Sequence, residues 1–411
     1  MSMNEVRRDV NGAVIEGRCD SRFEQVLDAF EKNFAEREEV GSSCCVTLEG
    51  ETVVDIWGGH KKPDGDAWAE DTVSIVFSCT KGATALCAHM LADRGLLDLD
   101  APVAEYWPEF AQNGKENATV SMMLDHSVGV AHIRQTLKDG AYLDWDYMTD
   151  LVAREDPFWE PGTRNGYHGV TFAWTVGEIV RRAAGKPMGQ FFAEEVAGPL
   201  GLDFTIGTPA STQPRIAPMI AAQPDPNAPL TKFTQKVISD PTSLPYLFLM
   251  NNGGADFNSP DLQAVEIGSA NGITNARGLA GMYAPLANGG SLDGVKLVGA
   301  DSLARMGQTA MATHEDATLM IRTRFSEGFM KAMDNRKVAD SVSLIIGERA
   351  FGHVGMGGHL GMADPDVGMS FGYTMNRMGM GILMNDRGQS LVDATYKSLG
   401  YRSDASGAWI V

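Results

Sequence analysis

The spacing of apolar and polar positions changes period twice along the chain. In SSCCVTLEGETVVDIWGG (42–59) β-favouring residues alternate around Glu49-Gly50-Glu51, which predicts a hairpin whose turn is set by the glycine. Strand-like runs return only near the other end. They are SVSLIIGERAFGHVG (341–355), HLGMADP (359–365) and MSFGYTMNRMG (369–379), each bounded by Gly, Pro or Asp. GQSLVDATYKSLGY (388–401) then fits a last helix. Between the two ends the period is helical. Leu86 and Met90, with Ala83, Cys87 and Leu91, keep helical spacing up to a stop at Gly95, and Phe172, Val176, Ile179, Val180 and Ala183 do the same up to Gly185.

Strands at both ends with helices between them predict an α+β fold. Its antiparallel sheet is built from N- and C-terminal strands flanked by helices, with a mostly helical lobe inserted. The expected division is residues 1–75 and 270–411 for the sheet lobe and 76–269 for the helical lobe, with a pocket in the cleft between them. Nine of the 18 prolines (Pro209, Pro214, Pro218, Pro224, Pro226, Pro229, Pro241, Pro245 and Pro260) fall between residues 209 and 260. Proline removes an amide donor and fixes φ, so this stretch is expected to be an irregular wrap around the helical lobe. LPYLFLM (244–250) is too apolar for a free linker.

Charge narrows the function classes. Lys and Arg total 34 against 53 Asp and Glu, a formal net charge of −19, and such a surface disfavours nucleic acid and anionic membranes as partners. Apolar residues make up 44% and charged residues 21%, a soluble globular composition, and no apolar run approaches a bilayer span. MSMNEVRRDVNG has no apolar stretch after its arginines, so a cytoplasmic location is expected. The five cysteines (Cys19, Cys44, Cys45, Cys79 and Cys87) lack C-x-x-C spacing and no H-E-x-x-H occurs, so neither a metal nor another cofactor is expected.

Candidate chemistry centres on FSCTKGATALCAHML (77–91). Positions i and i+3 share a helix face, so Lys81 Nζ can reach Ser78 Oγ, and a serine at a helix start gains from the positive end of the dipole. Read alone, the pair is either a nucleophile with its base or two polar residues on one face, because S-x-x-K is a short pattern. A nucleophile of this kind needs a further proton-handling group and an oxyanion pocket from elsewhere. FWEPGTRNGYHGVTFAWTVGEIVRRAAGK (158–186) places Tyr167 after a Pro-Gly turn, and FGHVGMGGHLGMADP (351–365) is glycine-dense, so backbone there can approach a ligand closely.

With these segments in order, the chain resembles the serine β-lactamase and penicillin-binding-protein-like hydrolases, closest to the family VIII carboxylesterases that share the class C β-lactamase fold. Ser78 and Lys81 match the S-x-x-K motif. Tyr167, after Pro161-Gly162-Thr163, matches the tyrosine motif Y-x-N, and His353-Val354-Gly355 matches the K-T-G position, with ANGITNARGLAGMYAPLANGG (270–290) resembling the connecting helix. The resemblance implies that Ser78 attacks the acyl carbon and that Lys81 and Tyr167 share the proton relay. It further implies an oxyanion hole from the backbone N–H groups of Ser78 and Met356, substrate contacts at His353, Val354 and Gly355, and a small-molecule ester as substrate. Two positions depart from the pattern. Gly169 stands where Y-x-N has asparagine, and His353 stands where K-T-G has lysine, so the cation that would meet a β-lactam carboxylate is missing.

Other readings stay open on sequence. β-Lactamase, D-amino-acid peptidase and acyltransferase share the motifs, and a catalytically silent, ligand-binding relative would keep the fold. An α/β-hydrolase would need G-x-S-x-G, which the chain lacks. Tyr167 is otherwise a core-edge aromatic, His353 a supporting residue, His359 a local hydrogen-bonder, and His126, Asn376 and Arg377 structural. Cys79 points away from the serine's face.

Overall fold

The computed structural model describes residues 3–223, 227–338 and 342–411; Pro224 and Pro226 of the proline-rich stretch, and Ser341 at the start of the expected strand, lie outside them. The fold is mixed α+β. Its main sheet has seven strands: β1 (Met3–Val10), β2 (Ala13–Asp20), β3 (Gly41–Leu48), β4 (Glu51–Gly59), β5 (Phe351–Gly355), β6 (His359–Asp364) and β7 (Met369–Met375). The order across the sheet is β1-β2-β4-β3-β7-β6-β5, antiparallel throughout, so the two ends of the chain meet where β3 pairs with β7. The helices that matter to the site are α1 (Glu24–Glu36), α2 (Thr80–Asp93), α3 (Phe172–Ala184), α4 (Lys232–Ser239), α5 (Leu244–Met250), α6 (Ala276–Ala287) and α7 (Asp386–Ser398).

The β3–β4 hairpin turns at Glu49 (φ 52°) and Gly50 (φ 85°), two consecutive left-handed residues that match the right-handed twist of the strands. The β1–β2 hairpin has no counterpart in the sequence reading. β1 is an edge strand whose exposed residues, among them Arg7 and Arg8, mask any alternation, but Asn11-Gly12 between the strands is the short-range signal that marks it. Residues 342–350, expected as strand, do not join the sheet; only Phe351–Gly355 does. Side chains take the backbone amides just before it: Ile345 N–H donates to Gln389 Oε1 and Gly347 N–H to the Tyr396 hydroxyl. Within 209–260 the chain is less irregular than its prolines suggest. α4 and α5 form there, capped by Thr231 and Ser243, and Pro245 sits in the first turn of α5, where a missing N–H costs no hydrogen bond.

Period two divides the sheet faces by size. Cys44 and Val46, Val54 and Ile56, Leu360 and Met362, and Phe371 and Tyr373 point to a core shared with Phe30 of α1 and Leu391 of α7. The alternate residues Cys45, Gly361 and Gly372 face α6, and they are small because the helix lies almost on the strands. A β-carbon at Gly372 would collide with the carbonyl oxygen of Ala276, and one at Gly361 would stand 2.7 Å from the Tyr283 ring. The opposite edge, β5, lies against the start of α2. That helix is buried on every side from Thr80 to Leu91, the condition of a helix inside a core.

Close packing at Gly372 leaves no room for a methyl group. Gly372→Ala is expected to destabilise the fold by about 1–3 kcal/mol, the ordinary cost of overpacking, read as a lowered midpoint in urea unfolding.

Candidate active site

Ser78 sits in a single 3₁₀ turn, Phe77–Cys79, that runs directly into α2. The residue before it, Phe77, has φ +43°, a region that costs a bulky residue about 1–3 kcal/mol. Edge-on packing against Phe257 (ring centroids 5.5 Å apart) and a Thr80 Oγ1 hydrogen bond to its carbonyl (2.6 Å) hold it there. The serine is left half-buried at the helix start, one turn from Lys81.

Lys81 Nζ lies 3.1 Å from Ser78 Oγ and donates to the carbonyl of Ser269 at 3.0 Å. The side chain is fully buried, and among the described residues no carboxylate pairs with it. Burial without a counter-ion drives its pKa well below the ordinary lysine value. A neutral amine has one lone pair and two N–H bonds. With one N–H given to Ser269, the lone pair is free to face the Ser78 hydroxyl.

Tyr167 is brought to the same place. Its ring centroid is 4.9 Å from Lys81 Nζ, and its hydroxyl is close enough to the Ser78 side chain to be influenced by it. Burial raises its pKa, so the phenol keeps its proton. Position is fixed from the backbone. Tyr167 N–H donates to both carboxylate oxygens of the buried Asp316 (3.0 and 3.1 Å), which also accepts from the N–H groups of Thr318 and Leu319 at 2.8 Å. Histidines line the surroundings. His126 packs 5.0 Å from the Tyr167 ring and accepts from His168 N–H at 3.1 Å, and burial holds both uncharged, with His168 lowered to about 3.

On the β5 side, His353 lies 6.1 Å from the Tyr167 ring, donates Nδ1–H to the Val354 carbonyl at 2.8 Å, and is pushed down to about 3 by burial. It is therefore an uncharged imidazole. Its own carbonyl accepts from Cys79 Sγ (3.1 Å), which ties the strand to the serine turn. Gly355 packs on the Val76 carbonyl so closely that a β-carbon would collide with it. Met356 follows at the turn, half-buried against the Phe77 cluster. Val354 alone of the expected contacts points its side chain the other way, into the core of the sheet. His359 stands 6.1 Å from the Phe77 ring with no hydrogen-bond partner on either ring nitrogen among the described residues.

Three residues that contribute to the site carried no motif. Ser269 acts through its carbonyl, which any residue type supplies, and Asp316 through a loop far away in sequence. Phe248 of α5, 6.3 Å from the Tyr167 ring, did leave a trace in the apolar run LPYLFLM. With Met219, Phe257, Met356 and Met378, it gives the neighbourhood of Ser78 a rim of half-buried apolar side chains.

Comparison with known proteins sets this architecture among the serine hydrolases built on the β-lactamase fold. The family model described as Beta-lactamase matches residues 26–393, and the chain belongs to that family. The esterase/beta-lactamase LipL of Mycobacterium tuberculosis is 34% identical over 380 residues, covering 91% of this chain and 86% of that protein. A crystal structure described as a family VIII carboxylesterase superposes with a TM-score of 0.82 at 37% identity, over 93% of this chain and 99% of the other. A penicillin-binding-protein homologue from Caulobacter crescentus gives 0.84 at 33% identity over the same shares. No helix among the described residues is long and apolar enough to cross a membrane.

The uncharged state of Lys81 can be read directly. With ¹³C-labelled lysine, the Cε resonance of Lys81 is expected to titrate well below the ordinary lysine range and to vanish in Lys81→Met. That variant separates it from Lys331, whose burial brings its pKa down to about 8. A Lys81 that titrates in the ordinary range would contradict the electrostatics described above.

Proposed function

We propose that the chain is a carboxylesterase in which Ser78 forms an acyl-enzyme and Lys81 and Tyr167 carry the proton. The observation that carries the reading is the 3.1 Å approach of a buried, uncompensated lysine amine to the Ser78 hydroxyl. A base must be neutral to accept a proton, and burial without a counter-ion shifts Lys81 toward that state.

As Ser78 Oγ bonds to the ester carbonyl carbon, its proton passes to Lys81 Nζ. The carbonyl π electrons move to oxygen, and the oxyanion faces the N–H groups of Ser78 and Met356, aided by the positive end of α2. When the oxyanion collapses, the bond to the alcohol oxygen breaks and that oxygen takes a proton from Tyr167, which is resupplied from Lys81. Water then attacks the acyl-Ser78 ester, giving up its proton through the same relay, and the acid leaves.

Preference for esters follows from charge. A β-lactam carboxylate entering the cleft loses water at a cost of several kcal/mol unless a cation replaces it, and His353 supplies none because burial keeps it neutral. An uncharged ester meets an apolar rim without that cost. The similar structure described as a family VIII carboxylesterase supports the same choice, whereas the relative from Mycobacterium tuberculosis is named for both activities.

A fluorophosphonate is expected to add one label, mapped by peptide mass to Ser78, and Ser78→Ala is expected to lose both label and esterase activity. A label on another serine would end the reading. Short-chain p-nitrophenyl esters are expected to exceed nitrocefin by at least roughly 10³ in kcat/KM, about 4 kcal/mol of transition-state preference. Comparable turnover of the two would move the protein toward β-lactam chemistry.

A further inference from the structure

The turn that carries Met356 has little of its own to hold it. Gly355, Met356, Gly357 and Gly358 lead from β5 to β6 with one hydrogen bond across the turn, from Gly358 N–H to the Gly355 carbonyl at 2.9 Å. Gly357 (φ 91°) and Gly358 (φ 115°) both lie where glycine moves freely, so the shape must be set from outside. Asn385 Nδ2–H donates to the Gly357 carbonyl at 2.6 Å, and Gly379 N–H donates to the same oxygen at 3.0 Å. The Asn385 amide is boxed in, because a β-carbon at Gly358 or at Gly379 would collide with Nδ2. Its other end, Oδ1, caps α7 by accepting from the N–H groups of Arg387 (3.1 Å) and Gly388 (3.3 Å). Arg387 anchors this helix start in turn, donating to Glu39 Oε1 at 2.7 Å and to the Arg377 carbonyl at 2.6 Å. Met356 N–H has no hydrogen-bond acceptor among the described residues.

We propose that Asn385 is a positioning residue for the oxyanion hole: by tying the Gly357 carbonyl to the capped start of α7, it keeps Met356 N–H in place over the serine turn. The assignment rests on the acyl-enzyme reading above, in which that N–H and the one of Ser78 face the oxyanion. The turn does lie against the serine, since Gly355 packs on the Val76 carbonyl and Met356 packs in the Phe77 cluster. A donor of this kind acts only if it already points where charge will develop, and a misaligned one weakens the transition state far more than the bound ester. One side chain therefore serves two elements. Its N–H sets the turn and its oxygen ends the helix.

Asn385→Asp and Asn385→Ser separate the two ends of the amide. Each keeps an oxygen able to cap α7 and removes the N–H given to Gly357, so urea midpoints are expected to stay close to that of the unaltered protein. With active sites counted by fluorophosphonate labelling taken to completion, both variants are expected to lose at least about tenfold in kcat per labelled site on p-nitrophenyl acetate, with KM within about threefold. A trifluoromethyl ketone gives the second readout. Ser78 Oγ bonds to the ketone carbon, the serine proton passes to Lys81, and the carbonyl electron pair moves onto oxygen as an oxyanion. Its inhibition constant is expected to rise by a factor similar to the loss in kcat. Unchanged ketone affinity overturns the proposal whatever the stability of the variants, as does an unchanged kcat per labelled site or a loss confined to KM. The two readings fail separately: activity retained in Ser78→Ala strikes the nucleophile, whereas an inactive Ser78→Ala beside Asn385 variants with full kcat and ketone affinity strikes only the role of Asn385.

Discussion

An ammonium group stripped of water and given no counter-ion is too costly to keep, and that constraint organises the centre of this protein. Lys81 lies on a helix buried on every side, with a carbonyl and a hydroxyl as its polar partners. The fold satisfies the constraint by removing the charge and not by supplying a carboxylate. Uncharged histidines complete the environment. A nearby carboxylate would stabilise the ammonium, so the absence of one beside Lys81 among the described residues bears on its charge as much as burial does.

Such a site can be built only where helix and sheet meet without a gap. The edge strand β5 is tied to the serine turn by the Cys79–His353 hydrogen bond and by Gly355 lying on the Val76 carbonyl. On the sheet face beside it, Gly361 and Gly372 let α6 approach the strands directly. Small residues thus do the same job at two places. They bring backbone close to backbone, which fixes Ser78 against β5 and fixes the sheet against the helices that carry the rest of the site.

Tyr167 shows how the remaining parts are held. Its hydroxyl belongs to the site, but its position is set by Asp316 gripping its N–H from another loop and by Phe248 and Phe325 flanking its ring. Two distant stretches of chain therefore converge on one side chain. The rim they leave around Ser78 is apolar and carries no formal charge at His353 or His132, in keeping with a neutral substrate.

The sequence by itself determined whatever depends on neighbours along the chain. The helical period around Leu86 and around Val176 marked α2 and α3, Glu49-Gly50 marked a hairpin, and the spacing of Ser78 and Lys81 put them on one helix face. The strands at 359–364 and 369–375 were legible from their own composition, as was the α+β class. Tertiary structure decided the rest. Residues 342–350 look like strand, but side chains from α7 take the amides of Ile345 and Gly347. α4 and α5 form despite the surrounding prolines because Thr231 and Ser243 cap them and Pro245 falls where it does no harm. The charge state of Lys81, the grip of Asp316 on Tyr167 and the ring of Phe248 over Gly169 are invisible in the sequence for one reason: each is a contact between residues tens to hundreds of positions apart, and burial, which sets charge and space alike, exists only once the chain has folded.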